Sequence, residues 1–213
     1  MKTEELIGML AARAEPVATH ALEQRFALAS LMGLLAAATL MAVLFGVRSD
    51  LALAVQLPMF WLKLGFAAAL AAAAVLALLR LSRPGMRTGR ALALVALPPL
   101  VLWSLAGVVL SGATPQERVG MVMGETWRSC AAAIALLSLP VFGAIVWGLR
   151  RAAPTRLRLT GACAGLLAGA LATLAYSLHC GEMRVPFLAV WYVLGIAVPG
   201  AVGALLGPRL LRW

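Results

Sequence analysis

Residues 57–80 read LPMFWLKLGFAAALAAAAVLALLR, an apolar run with one charge inside it, Lys63, and another closing it, Arg80. A bilayer core about 30 Å thick is crossed by roughly 20 apolar residues in a helix, so this segment is long enough to span it. Five further runs of the same kind lie at 26–47, 90–111, 129–149, 157–178 and 187–208. The expected fold class is therefore all-α, a polytopic membrane bundle of six transmembrane helices. The chain divides into an N-terminal segment, 1–25, and a transmembrane domain, 26–213.

Orientation follows from where the cations fall, because Lys and Arg are retained in cytoplasmic loops. Lys2, Arg13, Arg25, Arg80, Arg83, Arg87, Arg90, Arg150, Arg151, Arg156, Arg158, Arg209 and Arg212 share one side, and only Arg48, Arg118, Arg128 and Arg184 share the other. The asymmetry predicts both termini in the cytoplasm. Lys63 is left inside the second span, where its long stem is expected to snorkel outward. Trp61, Trp127 and Trp191 fall at the outer boundary and Trp147 and Trp213 at the inner one, the level an amphipathic indole prefers.

The chain is 63% hydrophobic and 12% charged, which excludes an ordinary soluble domain. Its net charge of +10 would otherwise invite a nucleic-acid reading. Insertion accounts for most of it, and no zinc-finger spacing, basic amphipathic helix or aromatic RNA-binding motif is present, so no direct nucleic-acid contact is expected. The first 25 residues hold four acids and no basic start followed by an early apolar core, so the first span reads as an anchor and not as a cleaved signal.

In segment 1–25, Thr3 can cap a helix whose first turn holds Glu4 and Glu5, acids that suit the positive end of a helix dipole. Leu6, Leu10 and Val17 fall near one face, and Pro16 bends or stops the helix. A membrane-surface helix usually carries a basic polar face. This one is acidic, which favours a protein partner over a tail resting on headgroups. In the fifth span Gly161, Gly165 and Gly169 recur every four residues and continue as Thr173 and Ser177. Such a small ridge serves close helix packing, within the chain or across a homodimer. Pro98–Pro99, Pro140 and Pro199 lie inside spans three, four and six and bend them. No acid lies within a span away from its ends, which argues against an ion-coupled transporter.

The three cysteines are separated by this topology. Cys163 is a small packing residue beside the glycine ridge. Cys130 opens the fourth span and Cys180 lies in the loop between spans five and six, both on the outer side. Two thiols on an oxidising face form a redox or metal-sensing pair, a structural disulfide, or two unrelated residues. His179 and Glu182 flank Cys180, and Glu125, Met121, Met123 and Met183 lie in the same loops. Thiolate, imidazole and thioether suit a thiophilic metal ion bound transiently, and no constitutive cofactor is expected. No phosphate loop, Ser/His/Asp set, paired histidines on a helix or carboxylate dyad occurs. The chain is not expected to be an enzyme; a quinone-linked thiol oxidoreductase would need a second cysteine pair.

The short segment Thr3-Glu4-Glu5-Leu6-Ile7-Gly8-Met9-Leu10-Ala11, the cysteine opening span four, and the stretch His179-Cys180-Gly181-Glu182 leading to Pro186-Phe187-Leu188-Ala189-Val190-Trp191-Tyr192 together resemble the negative-regulator-of-sigma-F family. These are six-span membrane anti-sigma factors of proteobacteria, and the resemblance covers essentially the whole chain. Gly181 stands where that family more often has proline. The resemblance implies a protein of the bacterial inner membrane that sequesters an extracytoplasmic-function (ECF) sigma factor. It implies release under heavy-metal or oxidative stress, sensed by Cys130 and Cys180. Glu4, Glu5, Leu6, Ile7 and Leu10 would then be the surface offered to the sigma factor. A small membrane transporter or a thiol oxidoreductase is the alternative.

Overall fold

The structure is a computed structural model in which residues 3–12, 21–83, 85–150, 152 and 154–212 are described. Arg13, Pro16, Val17, Arg151 and Trp213, and the side chains of Leu6 and Leu10, lie outside them. The described residues form helices and loops with no strand. Six helices are long and apolar enough to cross a membrane.

The order is α1 (Thr3–Ala12), α2 (Ala21–Leu44), α3 (Leu51–Ala54), α4 (Pro58–Leu81), α5 (Gly89–Ser111), α6 (Pro115–Met123), α7 (Trp127–Leu149), α8 (Leu157–Tyr176) and α9 (Val185–Leu210). A π turn, Leu188–Tyr192, interrupts α9 near its start. Pro58, Pro115 and Pro186 stand in the first turns of their helices, where the missing N–H has no intrahelical partner to lose. The segment 112–128 is more ordered than a plain loop: Thr114 and Glu117 form a reciprocal capping box that starts α6. Gly124, with φ +57°, turns the chain into α7. The first span begins earlier than its hydropathy indicates. Leu22 and Phe26 pack into the core and Arg25 lies 5.7 Å from the Trp147 ring, which extends α2 back to Ala21.

Helix α8 is the hub, surrounded by α9, α4, α7 and α2, whereas α5 lies at the periphery against α4 and the start of α9. In lipid the hydrophobic effect does not drive helices together, so close van der Waals packing must. A methyl group added at Gly165 would run into the Pro199 carbonyl, and one at Gly161 into that of Gly203. Only glycine permits this backbone-to-backbone approach. The ridge Gly161, Gly165, Gly169 is thus filled by the chain's own last helix. Thr173 and Ser177 donate to the carbonyls four residues back at 2.8 and 2.7 Å, so the polar end of the ridge is satisfied internally. Large apolar side chains such as Leu35, Leu97, Val108, Leu139 and Leu205 point outward. A surface of that kind suits acyl chains and not water.

Six alternating spans define two ends. One carries the turns 45–57, 112–126 and 177–184 with two of the cysteines, and is called the thiol end below. The other carries the turns 82–88 and 150–156, with most of the arginines, and is called the arginine end.

Candidate functional site

At the thiol end, α7 contributes Cys130 from its first turn, and the turn after α8 contributes Cys180. Both thiols are buried and free, and they lie in hydrogen-bonding contact. Backbone bonds from Cys130 N–H to the Thr126 carbonyl and from Cys180 N–H to the Tyr176 carbonyl, each 2.9 Å, hold them there. The thiols are neighbours although 50 residues separate them along the chain.

Lys63 on α4 completes the cluster. Its side chain does not snorkel to solvent. It is fully buried, donating at 2.7 Å to the Cys180 carbonyl and at 3.4 Å to that of Glu182. The stem is long enough to reach the end of the span, but the 177–184 loop closes over the ammonium there and supplies carbonyls in place of water. A cation within a span is costly unless paired, and these carbonyls are its partners. Arg48 adds a second positive group, donating at 3.3 Å to the same Cys180 carbonyl. It is held in place by a two-pronged bond to Asp50, at 2.7 and 2.6 Å. That bond keeps the Asp50 carboxyl below the ordinary range and Arg48 above its own.

The Cys180 thiol is held well below the usual thiol range. The hydrogen bond from Cys130 contributes most; burial opposes it, and the Tyr192 hydroxyl, the Glu182 backbone N–H and the Lys63 charge act in the same direction as Cys130. A thiolate with a second thiol as its donor is a reactive arrangement. It can lose two electrons to an oxidant and close to a disulfide, or exchange its protons for a soft metal ion. Tyr192, on the π turn, lies beside Cys180 with its hydroxyl buried. A polar cavity of about 730 Å³, lined in part by Arg48, Asp50, Gly181 and Glu182, opens over the Cys180 loop.

Of the flanking residues singled out from sequence, neither points a free group at the thiols. The His179 ring packs at a tilt against Phe45 and Tyr176, with ring centres 5.4 and 5.7 Å away, and its Nδ1 lies 3.0 Å from the Gly46 carbonyl. Glu182 accepts from the backbone N–H groups of Glu125 and Thr126 at 2.6 and 3.2 Å, and so caps the start of α7. Among the described residues no cluster of three or more His, Cys, Asp or Glu side chains could hold a metal ion. The fold brings two soft donors together, the sulfurs of Cys130 and Cys180. Lys63 and Arg48 were not foreseen as members of this site. The available signal was the lone charge inside an apolar span.

Helix α1 exposes Glu4, Glu5 and Ile7. Trp127 and Trp191 pack at a tilt against each other with ring centres 5.5 Å apart, and the Trp191 indole donates to the Val122 carbonyl. They brace α6 and α9 at the rim of the thiol cluster.

The family model described as negative regulator of sigma F matches residues 10–213. The chain is 51% identical over 213 residues, all of both chains, to the probable anti-sigma-F factor NrsF of Azospira oryzae. It is 38% identical over 215 residues, again all of both chains, to the anti-sigma-F factor NrsF of Caulobacter vibrioides. No solved structure matches it significantly.

Proposed function

The chain belongs to the negative-regulator-of-sigma-F family, and from that premise we propose that it is a membrane-bound anti-sigma factor with a regulatory and not a catalytic role. It holds an ECF sigma factor at the bacterial inner membrane, with both termini and the arginine end in the cytoplasm. It releases the sigma factor when the thiol pair meets an oxidant or a heavy-metal ion in the periplasm. The acidic helix α1 is the surface for the sigma factor: Glu4 and Glu5 meet basic side chains, and Leu6, Ile7 and Leu10 supply apolar contact.

The observation that carries the sensing half is the pairing of Cys130 and Cys180 beneath a loop held by two cations. Disulfide closure would remove two electrons and two protons from the pair; a soft ion bound by both sulfurs would displace the protons instead. Either event changes the seat of the 177–184 loop, and Glu182 transmits the change to the head of α7. Helix α7 packs along α2, with Gly33 against Val141 near the middle and Gly148 against Ala29 near the arginine end. Because α2 follows the N-terminal segment, movement of α7 bears on the presentation of α1. A coupling of about 1–3 kcal/mol would change sigma occupancy roughly 5- to 150-fold.

The test replaces Cys130 and Cys180 together with serine in the full-length protein. Sigma retention should persist while induction by metal or oxidant is lost. Normal induction of that variant would remove the thiols from the sensing role.

A further inference from the structure

We propose a second binding site, at the arginine end, for the phosphate headgroup of an anionic phospholipid. It does not depend on the sigma-factor or thiol readings.

A cavity of about 850 Å³ lies there between the 82–88 turn, the start of α5 and the turn leading into α8. Its described lining includes five arginines, Arg80, Arg83, Arg87, Arg90 and Arg156. No acid is among its described lining residues, and among the described residues only Arg83 of the five has a carboxylate ion pair, to Glu23 at 3.1 Å. Retention of cations on one side of a membrane explains which end carries arginines. It does not explain why guanidinium groups from both ends of the 82–88 turn and from the turn before α8 converge on one hollow. Bringing like charges together costs free energy that an anion relieves, and guanidinium is the cation whose forked donors match phosphate.

The backbone and small side chains add donors. Thr88 precedes α5 without capping it; its hydroxyl accepts instead from Arg156 at 3.4 Å. The first N–H groups of a helix have no intrahelical partner, and Gly89, the first residue of α5, lines the cavity. Ser82, between the lining residues Leu81 and Arg83, is buried with a hydroxyl that has no hydrogen-bond partner among the described residues.

A lipid is favoured as the source of the phosphate by position and by the remaining walls. The cavity sits where α4 ends and α5 begins, at the level of the headgroups beside two membrane-crossing helices. Leu81, Met86 and Leu92 give it an apolar side next to the charged one. Basic hollows between transmembrane helices are suited to phospholipid headgroups.

The experiment uses the full-length protein in mild detergent, titrated with phosphatidylglycerol, phosphatidylcholine or inorganic phosphate and read by native mass spectrometry. Phosphatidylglycerol should bind at one preferred site, and phosphatidylcholine should not. The R87Q/R156Q variant should bind phosphatidylglycerol roughly 25-fold more weakly, about fivefold for each arginine. R87K/R156K keeps the charge that governs insertion and should still lose affinity, since Lys cannot make the forked contact. Equal retention of the two lipids, or unchanged phosphatidylglycerol binding in both variants, overturns the site. Millimolar inorganic phosphate binding alone and displacing the lipid would overturn the lipid assignment. So would variants that lose sigma-factor capture while binding lipid as before, because the arginines would then serve a protein.

Discussion

The Lys63 ammonium donates across 2.7 Å to the carbonyl oxygen of Cys180, joining residues 117 positions apart. The bond ties the second long helix to the loop that carries one of the two paired sulfurs. It also sets a positive charge against a thiol whose acidity decides its reactivity.

Lys63→Met should therefore slow the chemistry of Cys180 more than it alters folding. Two stability effects oppose each other. The Cys180 and Glu182 carbonyls lose a donor, at about 1–3 kcal/mol, while the cost of burying a cation disappears. For reactivity both consequences point one way, because Cys180 loses a charge that favours its thiolate. With Cys163 changed to alanine, the rate of modification by a small methanethiosulfonate is followed against pH. In the parent the thiol is depressed, so reactivity should persist below the ordinary thiol value of about 8.5 and fall only as pH drops through the lower one. In the variant the fall should begin at higher pH, with about tenfold slower reaction at neutrality for each unit of upward shift. Superimposable profiles would show that the lysine does not tune the thiol.

Gly165→Ala tests the seam between α8 and α9. The new Cβ would meet the Pro199 carbonyl and the Gly200 backbone, neither of which is a flexible side-chain end. Overpacking of this kind costs typically 1–3 kcal/mol, so the melting temperature in detergent should fall. Gly143→Ala is the control, since nothing lies within 4 Å of its Cβ position. Equal melting temperatures for the two variants would contradict the close approach described.

The spans were legible because helix length and hydropathy are properties of contiguous residues. The same holds for the glycine ridge, whose spacing of four is set by the helix repeat. Counting spans also puts residues 130 and 180 at one end. What the cluster contains beyond the sulfurs was not legible, because each member arrives from a different helix. Whether Lys63 reaches solvent or is closed over depends on a loop more than a hundred residues later. His179 and Glu182 have the right chemistry for a metal ligand in sequence, yet the fold engages one with Phe45 and Gly46 and the other with the head of α7. A local motif does not record which partner takes a side chain first.

Glu182→Ala should separate sensing from transmission. Losing this cap leaves the Glu125 and Thr126 N–H groups without their acceptor and should cost about 0.5–2 kcal/mol. The thiols should still react, but the inducing signal should release less sigma factor than in the parent. Glu182→Gln, which keeps an acceptor oxygen, should restore part of the loss. The comparison needs two readings from the same membranes, thiol modification by mass and sigma release by pull-down. A full response in the alanine variant would show that the 177–184 loop does not act through α7.

Deleting residues 3–12 should release the sigma factor without disturbing the bundle. Helix α1 exposes Glu4, Glu5, Ile7 and Met9, so its loss should take little from the core built around α8. An acidic, partly apolar exposed helix is what a basic partner surface would engage, and charge reversal at Glu4 and Glu5 should weaken capture more at low salt than at high, because screening already suppresses exposed pairs. The measurements are recovery of sigma factor from solubilised membranes and the melting temperature of the truncated protein. Capture that survives the deletion at full strength would move the partner surface to the loops of the arginine end.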